Sequence, residues 1–224
     1  MSFIAQTIIV TGAAGILGHA VAAKAKSQGA TVELIDVVPG FVSPLGRTHV
    51  VDLTDADAVA KCITAIGDFH GLANIAGGFD MGPPVHDTQD RMWDFLFDIN
   101  VKTLRRMLAA CTPVLVARGR GSIVNIGALG ALHGVGNMGA YTAAKSVVMR
   151  LTEAASDEVR QQGVNVNAVL PSLIDTPRNR ADMPNADYSK WVSPDALAEV
   201  VCFFLSDAAK AVHGALIPVR GLVS

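Results

Sequence analysis

The chain has 224 residues, of which 50% are hydrophobic and 17% charged, with a formal net charge of −2. That length and apolar content fit one large domain with a sizeable core and exclude a disordered chain. The small net charge, with no basic block or stripe, excludes nucleic acid and an anionic membrane as main partners.

Mean hydropathy is +0.38, yet Gly, Asp, Asn, Lys or Pro interrupts each apolar stretch short of the roughly 20 residues that a membrane span needs. Cys62, Cys111 and Cys202 lie far apart without a CxxC pair, which predicts reduced, buried thiols in a cytoplasm and no metal site. The start "MSFIAQTIIVTG" lacks a basic segment ahead of an apolar run, so no targeting signal is expected.

In chain order, "TIIV" (7–10) reads as the first strand, followed by a glycine turn and a helix to about Gln28. "TVELID" (31–36) is the second strand and "THVVDL" (48–53) the third. The twelve residues between Asp36 and His49 hold Pro39, Gly40 and Pro44, so any helix there is very short or absent. A helix over 55–66, a strand "GLANIA" (71–76) and a long helical region from about Asp87 to Ala117 follow. "SIVNIG" (122–127) is strand five, 139–162 a helix, "VNVNAVL" (164–170) strand six, 194–208 a helix and "ALIPV" (215–219) the last strand. The polar stretch 176–193, with Pro177 and Pro184, is expected to be a mobile loop over the carboxyl ends of the strands. Short Val/Ile-rich runs alternating with helices predict an α/β fold, a single doubly wound (Rossmann-type) domain over 1–224 with a mainly parallel sheet of about seven strands.

The first strand leads into "TGAAGILG", where Gly12, Gly15 and Gly18 repeat as G-x-x-G-x-x-G. Such a turn lets backbone N–H groups and the positive end of a helix face a pyrophosphate, although the same spacing also serves close helix–strand packing. Asp36 ends the second strand 24 residues after Gly12, where a carboxylate accepts from both ribose hydroxyls and repels a 2′-phosphate. Val37 and Val38 follow in place of a cation, so NAD(H) is favoured over NADP(H). Tyr141 and Lys145 stand four apart on one helix and share a face. An ammonium beside a phenol stabilises the phenolate and draws its pKa from about 10 toward neutrality, which makes a usable proton donor and acceptor.

With these motifs in this order, nearly the whole chain resembles the short-chain dehydrogenase/reductase family. "TGAAGILG", with Ile16 and Leu17 inside it, is similar to the family's glycine turn, and Asp36-Val37 to its ribose-binding end of strand two. Asp52-Leu53 resembles the pair beside the adenine, and "NIAG" (Asn74, Ala76, Gly77) the N-x-A-G after strand four. "LPSLIDT", with Pro171, Ile174 and Thr176, resembles the segment that contacts the nicotinamide carboxamide. Asn100 in "FDINVK" matches the helix asparagine that holds a proton-relay water near the lysine, and Tyr141 and Lys145 match the catalytic pair.

The resemblance implies an oxidoreductase that binds NAD(H) through these residues and acts on a small molecule. Tyr141 would be the general acid/base, Lys145 would lower its pKa and hold the nicotinamide ribose, and Asn100 would support the water relay. The family likeness also implies a homodimer or homotetramer built through the helices at 87–117 and 139–162.

Three departures stand out. Ile16 occupies a position where many compact members have glycine, giving the spacing of an extended branch whose large C-terminal substrate region this chain is too short to carry. Ser172 replaces the glycine after Pro171, and Ala128 stands where the family has its catalytic serine. Losing one oxyanion-type donor typically costs about 10²–10³ in rate, so either activity is lost or the substrate does not need that donor.

The dihydropteridine reductase-like branch also carries Ala there. The resemblance to it extends to "AGGF" with Phe79, to "GALGALHGVGNMGAYTAAK", and to "DTPRNRADMPNADYSKW" over 175–191. Asn100 is not a feature of that branch. A conjugated acceptor such as a quinonoid dihydropterin takes hydride plus a proton on nitrogen without building an alkoxide, so the serine is dispensable. Phe79 is then placed to stack on the flat ring, with His133, Met138 and Arg178 as further substrate-side candidates. A carbonyl or 3-oxoacyl-(acyl-carrier-protein) reductase, and a regulatory module that binds NAD without turnover, remain open alternatives.

Overall fold

The computed structural model describes residues 2–223. The strands are β1 (Thr7–Thr11), β2 (Thr31–Asp36), β3 (Arg47–Val50), β4 (Gly71–Asn74), β5 (Gly121–Ile126), β6 (Val164–Pro171) and β7 (Leu216–Val219). All neighbours pair in parallel, in the order β3-β2-β1-β4-β5-β6-β7. The helices are α1 (Ile16–Ser27), α2 (Ala56–Ile66), α3 (Asp90–Phe97), α4 (Thr103–Arg118), α5 (Gly139–Val159), α6 (Pro177–Asp182) and α7 (Pro194–Leu205). No helix separates β2 from β3, as the prolines there lead one to expect.

The strands are apolar throughout because both faces of the sheet are covered. Ile8 and Val10 of β1 point into a core shared with α1 and α7. Ile9 between them points to the opposite core, with α2 and α4. The chain order reverses between β1 and β4. In an open parallel sheet that switch point opens a crevice at the carboxyl ends of the strands. Among the described residues, no helix is long and apolar enough to cross a membrane, and Cys62, Cys111 and Cys202 are buried free thiols.

The expected third strand, 48–53, is shorter, since β3 ends at Val50, and three further elements differ for a local reason. β4 stops at Asn74 rather than 76 because Thr11 Oγ1 accepts from the N–H groups of Ile75 and Ala76, both at 3.1 Å, and turns the chain out of the sheet. The expected helix over 87–117 is broken into α3, a π-helical turn at Asp98–Lys102, and α4. Within that turn the Asn100 side chain donates to the carbonyls of Leu96 and Gly78 and accepts from Gly78 N–H.

The segment 176–193 is a braced cap rather than an irregular loop. Thr176 caps α6, and Arg180 forks onto Asp175 at 2.5 and 2.7 Å. The Tyr188 hydroxyl donates toward the carbonyls of Arg180 and Met183. Buried Trp191 packs edge-on against Tyr188 at 4.8 Å and anchors the cap.

Asp55 opens α2 by accepting from the N–H groups of Asp57 and Ala58. Asp55→Ala removes both bonds and is expected to destabilise the fold by about 1 kcal/mol. Denaturant titration should show a lower midpoint at an unchanged slope.

Candidate active site

The crevice above the switch point is a cleft of about 1460 Å³. A site for one small ligand typically measures roughly 300–1,000 Å³, so the cleft has room for a dinucleotide and a second molecule. Its first wall is the glycine turn. Gly12 has φ of +63°, a conformation that favours glycine, and a Cβ on it would lie 2.8 Å from Ala76 N. A Cβ on Gly18 would lie 2.1 Å from the Gly12 carbonyl oxygen. Both glycines are therefore required by close approach of backbone to backbone. Gly15 caps α1 without a side-chain bond, which leaves first-turn N–H groups and the helix dipole for an anion.

Asp36 reaches from the end of β2 to this turn, its two oxygens accepting from Ala14 N–H at 2.9 Å and Val38 N–H at 3.2 Å. Asp52 accepts from the Thr54 N–H and hydroxyl, which hold its carboxyl below the usual range. The carboxylates of Asp36 and Asp52 both line this end of the cleft, with Val37 and Leu53 beside them, while the cations lining the cleft are Lys145 and Arg178. The glycines, Asp36 and the open helix end fit the pyrophosphate and adenosine ribose of a nicotinamide dinucleotide.

At the other end stand Tyr141 and Lys145. Lys145 is 6% exposed, and its Nζ donates to the Ile126 carbonyl at the end of β5, at 2.8 Å. Gly77 fits against it because a Cβ there would lie 3.3 Å from Lys145 Nζ and 2.8 Å from Asn100 Oδ1. Burial pushes the Tyr141 phenol up to about 12 and the Lys145 ammonium down to about 8. The expected fall of the phenol toward neutrality therefore does not come from the pocket itself. Burial opposes both charged forms, and the bond from Lys145 Nζ to the Ile126 carbonyl works against it on the ammonium side.

Phe79 stands edge-on to the Tyr141 ring at 4.9 Å. Ala128 packs into the same wall as Tyr141. Phe79, Met138 and Arg178 line the outer cleft.

Of the residues assigned from sequence, Gly12, Gly15, Leu17, Gly18, Asp36, Val37, Asp52, Leu53, Ala76, Gly77, Pro171 and Ile174 line the cleft with Tyr141 and Lys145. Four assigned residues and Asn100 lie elsewhere. Ile16 starts α1 half exposed, off the cleft wall. Thr176 is occupied in capping α6. His133 is exposed and lies off the cleft wall, after the short turn Leu129–Leu132. Asn74 is buried under the cleft floor, where it faces Asn125 across the sheet. Asn100 likewise stands below the floor, its amide bonded to Gly78 and Leu96.

Ser172 in place of glycine is accommodated, since its φ lies outside the left-handed region and its hydroxyl donates to the Arg220 carbonyl at 2.7 Å. Thr11, which shapes the end of β4, was not singled out from sequence. Its only signal is a hydroxyl at the end of an apolar strand.

A family model described as Enoyl-(Acyl carrier protein) reductase matches residues 12–221. The chain is 31% identical to 2-(S)-hydroxypropyl-CoM dehydrogenase 3 of Xanthobacter autotrophicus, over 96% of this chain and 95% of that one. It superposes on a short-chain type dehydrogenase/reductase from Mycobacterium ulcerans with a TM-score of 0.93 at 30% identity, covering 99% and 90% of the two chains. An NAD+-bound xylitol dehydrogenase shares the fold with a TM-score of 0.91 at 22% identity, over 99% of this chain and all of that one (100%).

Gly18→Ala is expected to weaken NADH binding roughly tenfold or more, because overpacking costs about 1–3 kcal/mol. Gly136→Ala, whose Cβ would meet nothing within 4 Å, should bind NADH as the parent does in the same fluorescence titration.

Proposed function

The chain belongs to the short-chain dehydrogenase/reductase family of oxidoreductases, and from that premise we propose that it uses NADH to reduce a conjugated, electron-poor acceptor, with a quinonoid dihydropterin as the preferred substrate. The observation that carries this reading is Ala128, a methyl group in the cleft wall beside Tyr141. Reduction of a simple ketone builds negative charge on oxygen and gains from a second donor there, whose absence typically costs about 10²–10³ in rate. In a conjugated ring the electron pair ends on nitrogen, which takes up a proton directly, so one donor suffices.

NAD(H), when bound, supplies the hydride. Tyr141 donates the proton to the acceptor's nitrogen. Lys145, tied to the Ile126 carbonyl, places its charge where it favours the phenolate left behind. Phe79, 37% exposed and lining the cleft, offers a flat apolar surface for a flat ring.

The choice of NAD(H) over NADP(H) rests on Asp36. Its carboxylate, with Asp52 nearby and Lys145 and Arg178 as the cleft's cations, would repel a 2′-phosphate. A homodimer or homotetramer through the helices at 87–117 and 139–162 is part of the same proposal and rests on the family likeness.

A second reading, a secondary alcohol or ketone as substrate, is favoured by one observation, the name of the hydroxypropyl-CoM dehydrogenase relative. The experiment that separates the two follows cofactor oxidation with quinonoid dihydropterin against a panel of ketones and 3-oxoacyl thioesters, with NADH and then NADPH. We expect turnover of the pterin with NADH, weaker turnover with NADPH, and a loss of about 10²–10⁴-fold in Tyr141→Phe. Turnover of ketones without turnover of pterin would overturn the proposed substrate.

A further inference from the structure

Under the cleft floor, among the ends of β1, β4 and β5, the π-helical turn, α4 and α5, lies a void of about 10 Å³. That is close to the roughly 10–15 Å³ occupied by one water. Its polar lining comes from Thr11, Asn74, Asn100, Thr103 and Lys145. Most of these groups are already engaged. Thr11 Oγ1 accepts from two backbone N–H groups, the Asn100 amide is bonded to Gly78 and Leu96, and the Thr103 hydroxyl donates to the Ile99 carbonyl at 2.7 Å. Asn74 differs. It is 6% exposed, and its Oδ1 is buried without a partner. Lys145 Nζ has three N–H bonds and spends one on the Ile126 carbonyl.

The orientation of the Asn74 amide follows from a chain of bonds that starts on α5. The Val148 carbonyl can only accept, so the Thr152 hydroxyl, 2.8 Å away, donates to it. Thr152 Oγ1 then accepts, and Asn125 must present its Nδ2, at 2.9 Å. That leaves Asn125 Oδ1 to accept from Asn74 Nδ2, also at 2.9 Å. Asn74 is thereby fixed with its Nδ2 toward Asn125 and its Oδ1 free. Both Asn125 and Thr152 are fully buried, so no bulk water competes for these bonds.

The family resemblance already implies a water beside Lys145; we infer that this water sits in the void, accepting from the ammonium and donating to Asn74 Oδ1, and that Asn74 is a further positioning residue for Lys145 with Asn125 and Thr152 fixing its direction. The inference rests on the reading of Tyr141 and Lys145 as the reacting pair and assigns Asn74 a role other than holding cofactor. A partner for the ammonium favours its charged form, in opposition to the burial that pulls Lys145 down. It also fixes the side chain in the direction of the cleft.

Competitive acetylation with acetic anhydride as a function of pH, read by mass spectrometry, reports the titration of each lysine without substrate or turnover. Failure of the pterin proposal therefore leaves this test intact. Asn74→Leu, close to Asn in shape but apolar, removes the acceptor and lines the site with methyl groups, and is expected to lower the Lys145 midpoint by about one pH unit, while exposed Lys61 and Lys210 stay unchanged. Thr152→Val, remote from the void and nearly isosteric, should lower it by less, because Asn125 loses its fixed direction. Asn74→Ala leaves room for water and should stay close to the parent. NADH binding should persist in all three, since Asn74 does not line the cleft. An unchanged Lys145 midpoint in both Asn74→Leu and Thr152→Val would overturn the inference, as would a shift in Asn74→Ala as large as in Asn74→Leu. If Asn74→Leu fails to fold, Thr152→Val and Asn74→Ala decide the matter by the same readout.

Discussion

Lys145 holds an ammonium in a site almost closed to water and ends on the Ile126 carbonyl, so α5 is tied to the carboxyl end of β5 by a charge removed from solvent. An unpartnered buried charge costs on the order of several kcal/mol, and the neighbouring chain is arranged around that cost. Gly77 is small because a side chain there would meet both Lys145 and Asn100. Asn100 makes two bonds to Gly78 that hold the Gly77-Gly78 segment in place and a third to the Leu96 carbonyl, and the helix that carries it opens into a π-helical turn. The same ammonium lies one helical turn from Tyr141, where it can stabilise a phenolate that burial alone opposes. Packing, backbone irregularity and proton chemistry therefore meet at one nitrogen atom.

The sheet and its helices were largely legible in the sequence, because strands buried on both faces appear as short Val/Ile runs between helical segments. The glycine turn, Asp36, Tyr141 and Lys145 were legible for a related reason. Each is a residue type that few structural positions demand, placed at the end of a strand or on one helix face. What was not legible depends on contacts between distant segments. Asn74 sits in the expected motif, yet whether it faces the cleft or the interior depends on Asn125, 51 residues away. The break at 98–102 depends on Gly78 across the cleft. The cap over 175–191 is ordered by an arginine–carboxylate fork and a pair of aromatic rings, which its polar, proline-containing sequence conceals. His133 stands close before Tyr141 in the sequence, but after the short turn that follows Ala128 it is exposed and off the cleft wall.

The cleft divides into two chemical regions. The end formed by the glycine turn, Asp36 and Asp52 is acidic and rich in backbone donors, which suits a ribose with free hydroxyls and a pyrophosphate seated on N–H groups. The outer end is apolar, with Phe79, Met138 and Met183 beside Arg178 and Asp182. Methionines adapt to irregular shapes, and an aromatic ring adds a flat contact. Between the two regions stands the only departure that bears on the chemistry itself, the methyl group of Ala128. Proton delivery survives intact in Tyr141 and Lys145, while the second donor to a developing oxyanion is gone. On the proposed reading, that combination disfavours simple ketones and favours acceptors whose added electrons come to rest on a protonated atom.

The most direct test of that claim restores the missing hydroxyl. Ala128→Ser should be compared with the parent for kcat/KM toward quinonoid dihydropterin and toward a simple ketone, each with NADH. A donor that matters only for an oxyanion should raise ketone reduction by about 10²–10³ and leave pterin reduction within a few-fold of the parent. An equal gain with both substrates, or no gain with the ketone, would contradict the proposal that the substrate's chemistry made the serine dispensable.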